Sequence, residues 1–339
     1  MRTRRIIRLV VIILLVILFG PLLLPLPPVG VDAATLADPD GQFITVNGLS
    51  TYVLARGPED GMPVMLLHGW GASTFTWREQ IDVLAEAGYR AIAFDRPPYG
   101  LSSKTGDNIP AAGDQLADFT AATMDALGIA RAVMVGQSQG GGVVGYFAVM
   151  YPERTAGVVF VSGALRPTDD PPAPSSGDTR DSRVGGALGM PPFVIGLLNF
   201  PPVTRWAQIG IRAFVTPDFS TQILSSAYHD PAMMTPEVAI GYQKQLQVLG
   251  WDEALLNQLR VAPPTPQPLT AAQISGIAAP VMIVWGENDT WVPLSVGERL
   301  RELLPAAAWH VYPNVGHLPH EEQPASFNTD LLAFLEGVA

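Results

Sequence analysis

The stretch GQSQG, residues 136–140, places a serine between two glycines in the pattern G-x-S-x-G. This pattern is typical of a nucleophile elbow, a sharp turn between a strand and a helix that exposes the serine hydroxyl. The apolar residues 133–135 predict a buried strand before the turn, and a helix is predicted after Ser138. Glycines are expected two positions before and after the serine, because such a turn brings backbone segments into close contact. Ser138 is therefore the candidate nucleophile.

The same segment also fits a second motif, because Gly140, Gly142 and Gly145 form the pattern G-x-G-x-x-G of dinucleotide sites. In that motif the first glycine directly follows a strand, and an acidic residue stands about 20 positions further on. Here the first glycine lies beyond the turn, and no acidic residue stands near that distance. We therefore expect these glycines to let the helix pack closely on the sheet.

A serine hydroxyl is a weak nucleophile at neutral pH, so Ser138 needs a base, and that base needs an orienting carboxylate. Of the five histidines, His317 lies in the loop after the last predicted strand, where the carboxyl ends of strands gather ligands. Asp289 occupies the matching position one strand earlier. We predict a catalytic triad of Ser138, His317 and Asp289, in which the aspartate fixes the tautomer of the imidazole.

Each of these assignments has an alternative. His320 is the second candidate for the base, and Asp169 and Asp170, after the sixth strand, are alternative acids. Asp289 could instead cap the helix that follows it. His310 falls within a predicted strand, which makes it a poor candidate for the base.

Strand and helix patterns alternate along most of the chain. A predicted hairpin around residues 47–48 comes first, and buried strands such as PVMLLHG and AGVVFVSG then alternate with helices, one of them over residues 74–87. This order predicts an α/β fold with a mostly parallel central sheet flanked by helices. The alternation stops between two proline-rich segments. We therefore predict a core of residues 39–164 and 275–339, interrupted after the sixth strand by a helical insertion, residues 165–274.

Several stretches resemble the alpha/beta hydrolase superfamily, whose triad follows the chain order Ser, Asp, His. In chain order they are HGWG (68–71), DRPPYGLS (95–102), GQSQG, VWGENDTWVP (284–293) and PNVGHLPHEEQP (313–324). The resemblance covers almost all of residues 40–339 and implies that the insertion is a helical cap. It also implies an oxyanion hole formed by the backbone N–H groups of Trp70 and Gln139, with His68 in a structural role. A serine stands where epoxide hydrolases and haloalkane dehalogenases use aspartate, which argues against those two activities.

The N-terminus has a different composition from the rest of the chain. Four arginines, at positions 2, 4, 5 and 8, precede 23 uncharged residues from Leu9 to Val31. About 20 apolar residues suffice to cross a bilayer, and the arginines favour the cytoplasmic side. We predict a retained anchor and a proline-rich tether in residues 1–38, with the catalytic domain on the extracytoplasmic side. The alternative is a cleaved signal peptide, with a cleavage site at residues 31–33 and a secreted mature chain.

Composition excludes several classes of protein. The chain has 339 residues, 48% of them hydrophobic, which is enough to form a large core. A net charge of −11 without a basic cluster beyond the N-terminus argues against a nucleic-acid partner. The absence of cysteine excludes disulfides, thiolate metal sites and a cysteine nucleophile.

These observations predict a membrane-anchored serine hydrolase. It would cleave a carboxylic ester or related acyl bond of a small-molecule substrate through an acyl-enzyme, without a metal or organic cofactor. Alternatives on the same fold are hydrolysis of a carbon–carbon bond next to a ketone, a cofactor-free perhydrolase and acyl transfer. A non-enzyme alternative is a receptor that binds a small ligand beneath the cap.

Overall fold

The centre of the protein, described here from a computed structural model, is one sheet of eight strands. The structure describes residues 2–106, 108–111, 113–163, 165–170, 192–260 and 269–338. The strand order is β1-β2-β4-β3-β5-β6-β7-β8; β3 to β8 are parallel, and β2 is antiparallel to β1 and β4. The strands are β1 (Gly41–Val46), β2 (Leu49–Arg56), β3 (Pro63–Leu67), β4 (Arg90–Phe94), β5 (Ala132–Gln137), β6 (Thr155–Val161), β7 (Val281–Gly286) and β8 (Ala308–Tyr312). The predicted α/β fold with a mostly parallel sheet is confirmed.

Helices cover both faces of this sheet. In chain order, the helices of the described residues are α1 (Arg2–Phe19), α2 (Ile81–Glu86), α3 (Gly113–Ala126), α4 (Gln139–Met150), α5 (Pro192–Leu198), α6 (Pro201–Phe214), α7 (Pro217–Ser225), α8 (Pro236–Gln243), α9 (Trp251–Arg260), α10 (Ala271–Ser275), α11 (Leu294–Leu303), α12 (Pro319–Glu322) and α13 (Pro324–Glu336). One apolar cluster joins the sheet to α3, α4, α10 and α11, and a second joins it to α2 and α13. All six residues of β5 and of β7 are buried, as continuous apolar strands between two helical layers require.

Two local predictions have different outcomes. The hairpin is confirmed: β1 and β2 pair across Asn47 and Gly48, both of which have positive φ. The helix over residues 74–87 is wrong, because a 3-10 turn over Thr74–Trp77 precedes a short α2. The buried Gln80 between them donates to the carbonyl of His320 at 2.7 Å. A tertiary contact thus breaks a helix that the local pattern favours.

In the described part of the segment between β6 and α10, residues 192–260 form the helices α5 to α9. Residues of α7, α8 and the segment between them pack against Ala72, after β3, and Leu318, after β8. The insertion therefore lies on loops at the carboxyl ends of the strands. The chain returns to the core at α10, which packs on α4 and α11. The limits predicted for the insertion, residues 165 and 274, stay a prediction.

The N-terminal helix α1 exposes nearly all of its apolar side chains. The segment Thr3–Leu23 is long and apolar enough to cross a membrane, a property that signal sequences share. Beyond the prolines, Val31 forms a bridge to Val248 of the insertion, with its N–H donating to the carbonyl of Gln247 at 2.8 Å. The tether therefore contacts the insertion through backbone hydrogen bonds.

Candidate active site

Ser138 occupies the turn between β5 and α4. Its φ of 52° and ψ of −117° are rare for a residue with a side chain, and such strain costs of the order of 1–3 kcal/mol. The glycines around it are required sterically: a Cβ on Gly136 would clash with the carbonyl of Gly140, and one on Gly140 would clash with that of Leu67. The segment therefore has the geometry of a nucleophile elbow.

Asp289 and His317 meet at the carboxyl ends of β7 and β8. His317 Nδ1 lies 2.8 Å from Asp289 Oδ2, and both side chains are almost completely buried. Asp289 Oδ1 accepts the backbone N–H groups of Trp291 at 2.9 Å and Val292 at 2.8 Å. The carboxylate therefore caps the turn after β7 and orients the imidazole at the same time. With Nδ1–H donating to the carboxylate, Nε2 of the neutral ring is an acceptor.

His317 is fixed beside the elbow by several contacts. Its carbonyl accepts a hydrogen bond from Gln137 Nε2 at 3.3 Å, and its N–H donates to the carbonyl of Ala227 in the insertion at 2.7 Å. Its ring stacks on Trp291, with centroids 5.4 Å apart. Nε2 is buried and has no hydrogen-bond partner among the described residues. A buried acceptor on a residue that contacts Gln137, the neighbour of Ser138, is suited to receive a proton.

The two predicted oxyanion donors flank the serine. Gln139 is the first residue of α4, so its N–H has no carbonyl partner within that helix. Trp70 follows Gly69, where an added Cβ would lie only 3.1 Å from the Cβ of Ser138. The HGWG loop therefore lies directly against the elbow. Both N–H groups belong to backbone that borders the nucleophile, as oxyanion stabilisation requires.

A buried cation, Arg96, supports this loop and was not a site candidate from the sequence. Its Nη2 donates to the carbonyls of His68 and Gly69 and, at 3.3 Å, to Gln139 Oε1. Burial lowers the pKa of Arg96 to about 10, so the side chain stays charged at neutral pH. Burial, together with the Arg96 charge, holds the pKa of His68 well below its usual range. Arg96 thus links the HGWG loop to Gln139, the residue after the nucleophile, by hydrogen bonds. His68 is neutral and buried in this loop.

Among the described residues, none of the alternative triad residues forms a hydrogen bond or an ion pair with His317. His320 is fully buried; burial lowers its pKa to about 4, and its Nε2 lies 2.9 Å from Thr76 Oγ1. Asp169 accepts the N–H of Ala271, and Asp170 forms an ion pair with Arg299. His310, on the outer strand β8, pairs with Asp330 of α13. In the described part of the chain, no cluster of three or more His, Asp or Glu side chains is placed to hold a metal.

A buried carboxylate lies four residues after His317. Glu321 Oε2 accepts from Arg78 at 2.7 Å and from Tyr228 at 2.6 Å, and Oε1 accepts from Thr76 at 2.5 Å and from Tyr242. Tyr228 and Tyr242 belong to the insertion, whereas Thr76 and Arg78 belong to the core. Glu321 therefore joins the insertion, the core and the loop that carries His317.

The fold and the site together define the class of protein. A model of the alpha/beta hydrolase fold family matches residues 62–324, and the chain belongs to that family. It is 32% identical over 282 residues to a 2-hydroxy-6-oxononadienedioate/2-hydroxy-6-oxononatrienedioate hydrolase of Burkholderia vietnamiensis, covering 80% of this chain and 86% of the relative.

Two further comparisons bear on function. A bifunctional esterase/perhydrolase of Acinetobacter calcoaceticus is 26% identical over 312 residues, covering 87% of this chain and 99% of the relative. A solved structure of a meta-cleavage product hydrolase from Pseudomonas fluorescens IP01 superimposes with a TM-score of 0.68 at 26% identity, covering 88% of this chain and 98% of that one. The chain is thus similar to hydrolases of more than one kind of bond.

Proposed function

We propose that this protein is a serine hydrolase that cleaves carboxylic esters through an acyl-enzyme. The observation that carries the proposal is the buried pair of His317 and Asp289, 2.8 Å apart, beside the strained Ser138. Ser138 Oγ attacks the ester carbonyl while its proton passes to His317 Nε2. The N–H groups of Trp70 and Gln139 stabilise the resulting oxyanion. His317 then protonates the leaving alkoxide, and a water molecule that His317 deprotonates releases the acid from Ser138.

The contacts of two arginines in the insertion favour an ester over a carbon–carbon bond as the substrate. An alkoxide leaving group needs only a proton, which His317 supplies. Carbon–carbon cleavage also needs ketonisation of the substrate and an electron sink for the departing carbon. The insertion's Arg205 and Arg212 donate instead to carbonyls of Pro21 and Pro27 in the tether. These two guanidinium groups are therefore occupied away from the elbow.

The second candidate is hydrolysis of a carbon–carbon bond. It is favoured by the names of the relatives, among them the Burkholderia dienedioate hydrolase and the Pseudomonas meta-cleavage product hydrolase. The triad and oxyanion hole that we propose would serve the attack on a carbonyl group in either reaction. The two reactions differ in how the leaving group departs. The buried Arg96 beside Gln139 is a charge that could assist the second reaction.

A comparison of substrates separates the two reactions. We expect measurable hydrolysis of short- and medium-chain aryl esters and little turnover of 2-hydroxy-6-oxo-dienoic acids, because the former need only protonation of an oxygen. The measurement is kcat/KM for both classes with the same purified protein. A far higher kcat/KM for the dienoic acid than for any ester would replace the ester proposal with carbon–carbon hydrolysis.

We propose further that the N-terminal helix is retained and anchors the enzyme in a membrane, with the catalytic domain on the extracytoplasmic side. The support is the apolar, exposed segment Thr3–Leu23 after a cluster of arginines. The contacts of the following tether with the insertion, such as the Val31–Val248 bridge, give that segment a defined place on the enzyme.

Carbonate extraction tests the anchor. We expect full-length protein to stay in the membrane pellet at alkaline pH, and a variant lacking residues 1–24 to be released, because only a spanning helix resists this treatment. The deletion keeps Val31, so the bridge to the insertion is preserved. A mature chain that begins at Ala34 would establish signal cleavage and a secreted enzyme instead.

A further inference from the structure

An unusual apolar surface lies on the helical insertion. Among the described residues after Val31, nearly all exposed large apolar side chains lie in residues 192–249, with Trp70 and Met150 as the exceptions. Soluble surfaces rarely concentrate such side chains in one region without a partner. We use the term cap apolar face for five of them on and next to α5 and α6: Phe193, Leu197, Phe200, Trp206 and Phe214.

The spacing of these residues shows that the outer side of two helices is apolar. Phe193 and Leu197 are four residues apart, which places them on one side of α5, and Phe200 follows between α5 and α6. Trp206 and Phe214 are about two turns apart on α6. Phe193 and Phe214 are each 74% exposed. A helix of a soluble domain normally has polar residues on the side that faces water.

The C-terminal end of α1 rests on the same surface. Trp206 Nε1 donates to the carbonyl of Ile17 at 2.9 Å, and Phe19 packs edge-on against Phe200 with ring centroids 6.2 Å apart. The carbonyl of Ile17 is in the last turn of α1, where backbone acceptors lack helical donors. The Arg205 guanidinium donates to the carbonyls of Pro21 and Leu24 just beyond. Helix α6 therefore receives the end of the anchor helix.

This contact fixes where a membrane would lie. The candidate span Thr3–Leu23 has 21 residues, which is enough to cross a hydrocarbon core of about 30 Å. The contacts with α6, from Ile17 to Leu24, lie at the C-terminal end of this span, so α6 lies at the bilayer surface on that side. Tryptophan and arginine are common at this depth. Residues 192–216 contain two arginines and no Asp or Glu, although the whole chain has a net charge of −11.

We propose that the cap apolar face is inserted into the interface of the bilayer that α1 crosses. The catalytic domain would thus be held by a spanning helix and by a second, interfacial contact through α5 and α6. This inference rests on the proposed retention of the anchor and concerns the orientation of the enzyme rather than its chemistry. We expect lipid to cover the cap apolar face, because the membrane-spanning segment of the same chain ends on this face.

Site-directed fluorescence in the full-length protein tests the docking. The chain has no cysteine, so Phe214→Cys or Leu197→Cys can be labelled singly with an NBD fluorophore. In vesicles of phosphatidylcholine and phosphatidylglycerol, we expect blue-shifted emission and strong quenching by doxyl-labelled lipids. Ala333→Cys is the matched control, because this position is exposed on α13, a helix of the core. Its label should show the emission of a fluorophore in water and no quenching by doxyl-labelled lipids.

Three results would overturn the proposal, and each has a distinct meaning. Co-sedimentation with vesicles while the Phe214→Cys label stays in water would remove the docking and keep the anchor. Failure to co-sediment would remove both. A label shielded from water, unreached by doxyl lipid and close to a second label by energy transfer would identify another copy of the chain as the occupant. Turnover of a water-soluble aryl ester in the same samples reports separately on the hydrolase function.

Discussion

Replacement of Ser138 by Ala should abolish ester hydrolysis almost completely, lowering kcat/KM by at least about 10⁴-fold. His317→Ala should have a similar effect, because the nucleophile and its base act as a unit. Asp289→Asn should also be severe, since the Oδ2 that now orients the imidazole at 2.8 Å would be lost as a carboxylate acceptor. The measurement is steady-state hydrolysis of an aryl ester by purified variants.

Two controls make this result specific to chemistry. Ser138→Ala should melt no lower than the wild-type protein. The change removes only Oγ and leaves the Cβ and the backbone, with its φ of 52°, as they are. His320→Gln, at the alternative base, should keep far more activity than His317→Ala, although His320 is fully buried. If Asp289→Asn kept near-normal turnover, the orienting acid would have to be sought elsewhere, beginning with Asp169.

The second large effect is on stability. Glu321→Gln should lower the free energy of unfolding by about 3 kcal/mol, since it leaves the Arg78 guanidinium without its buried carboxylate. We choose the lower part of the range for broken buried pairs because the Arg78 side chain is 23% exposed. Urea unfolding at neutral pH measures the change. Glu79→Gln is a matched control, because Glu79 meets the same arginine at 3.5 Å from an exposed position and should matter little.

The pH dependence of this difference has a definite sign. Burial alone would raise the pKa of Glu321, but Arg78, His320 and the hydroxyl donors lower it below the ordinary value of 4.5. A carboxylate whose pKa is depressed by folding stabilises the folded state above its unfolded pKa and loses this contribution as the pH falls through the folded pKa. The gap between wild type and Glu321→Gln should therefore be full at neutral pH and narrow below pH 4.5. A gap that widened on acidification would contradict the assigned charge.

Local sequence patterns were sufficient for the parts of the site that local structure determines. The elbow around Ser138 follows from two glycines and an apolar strand, and both glycines prove sterically necessary. Asp289 and His317 could be proposed because each follows a strand of a parallel sheet, and parallel strands end at one edge. The sheet itself follows from continuous apolar strands separated by helices.

Residues whose role depends on distant contacts were not found in this way. Arg96 lies in a loop motif, and only the folded chain brings it to Gln139, 43 positions away. The network around Glu321 joins residues of the core and the insertion that no short pattern relates. The helix predicted over residues 74–87 failed for the same reason, since Gln80 bonds to a residue 240 positions away.

The most direct test of the central claim is labelling with a fluorophosphonate, followed by mass spectrometry of the modified peptide. A hydroxyl reacts with this probe only when a base activates it and backbone donors stabilise the charge that forms. We predict one covalent adduct, on Ser138, that forms quickly in the wild-type protein and is nearly absent in His317→Ala. A folded wild-type protein that remains unlabelled, or is labelled at another serine, would contradict the account and favour a ligand-binding receptor built on a hydrolase fold.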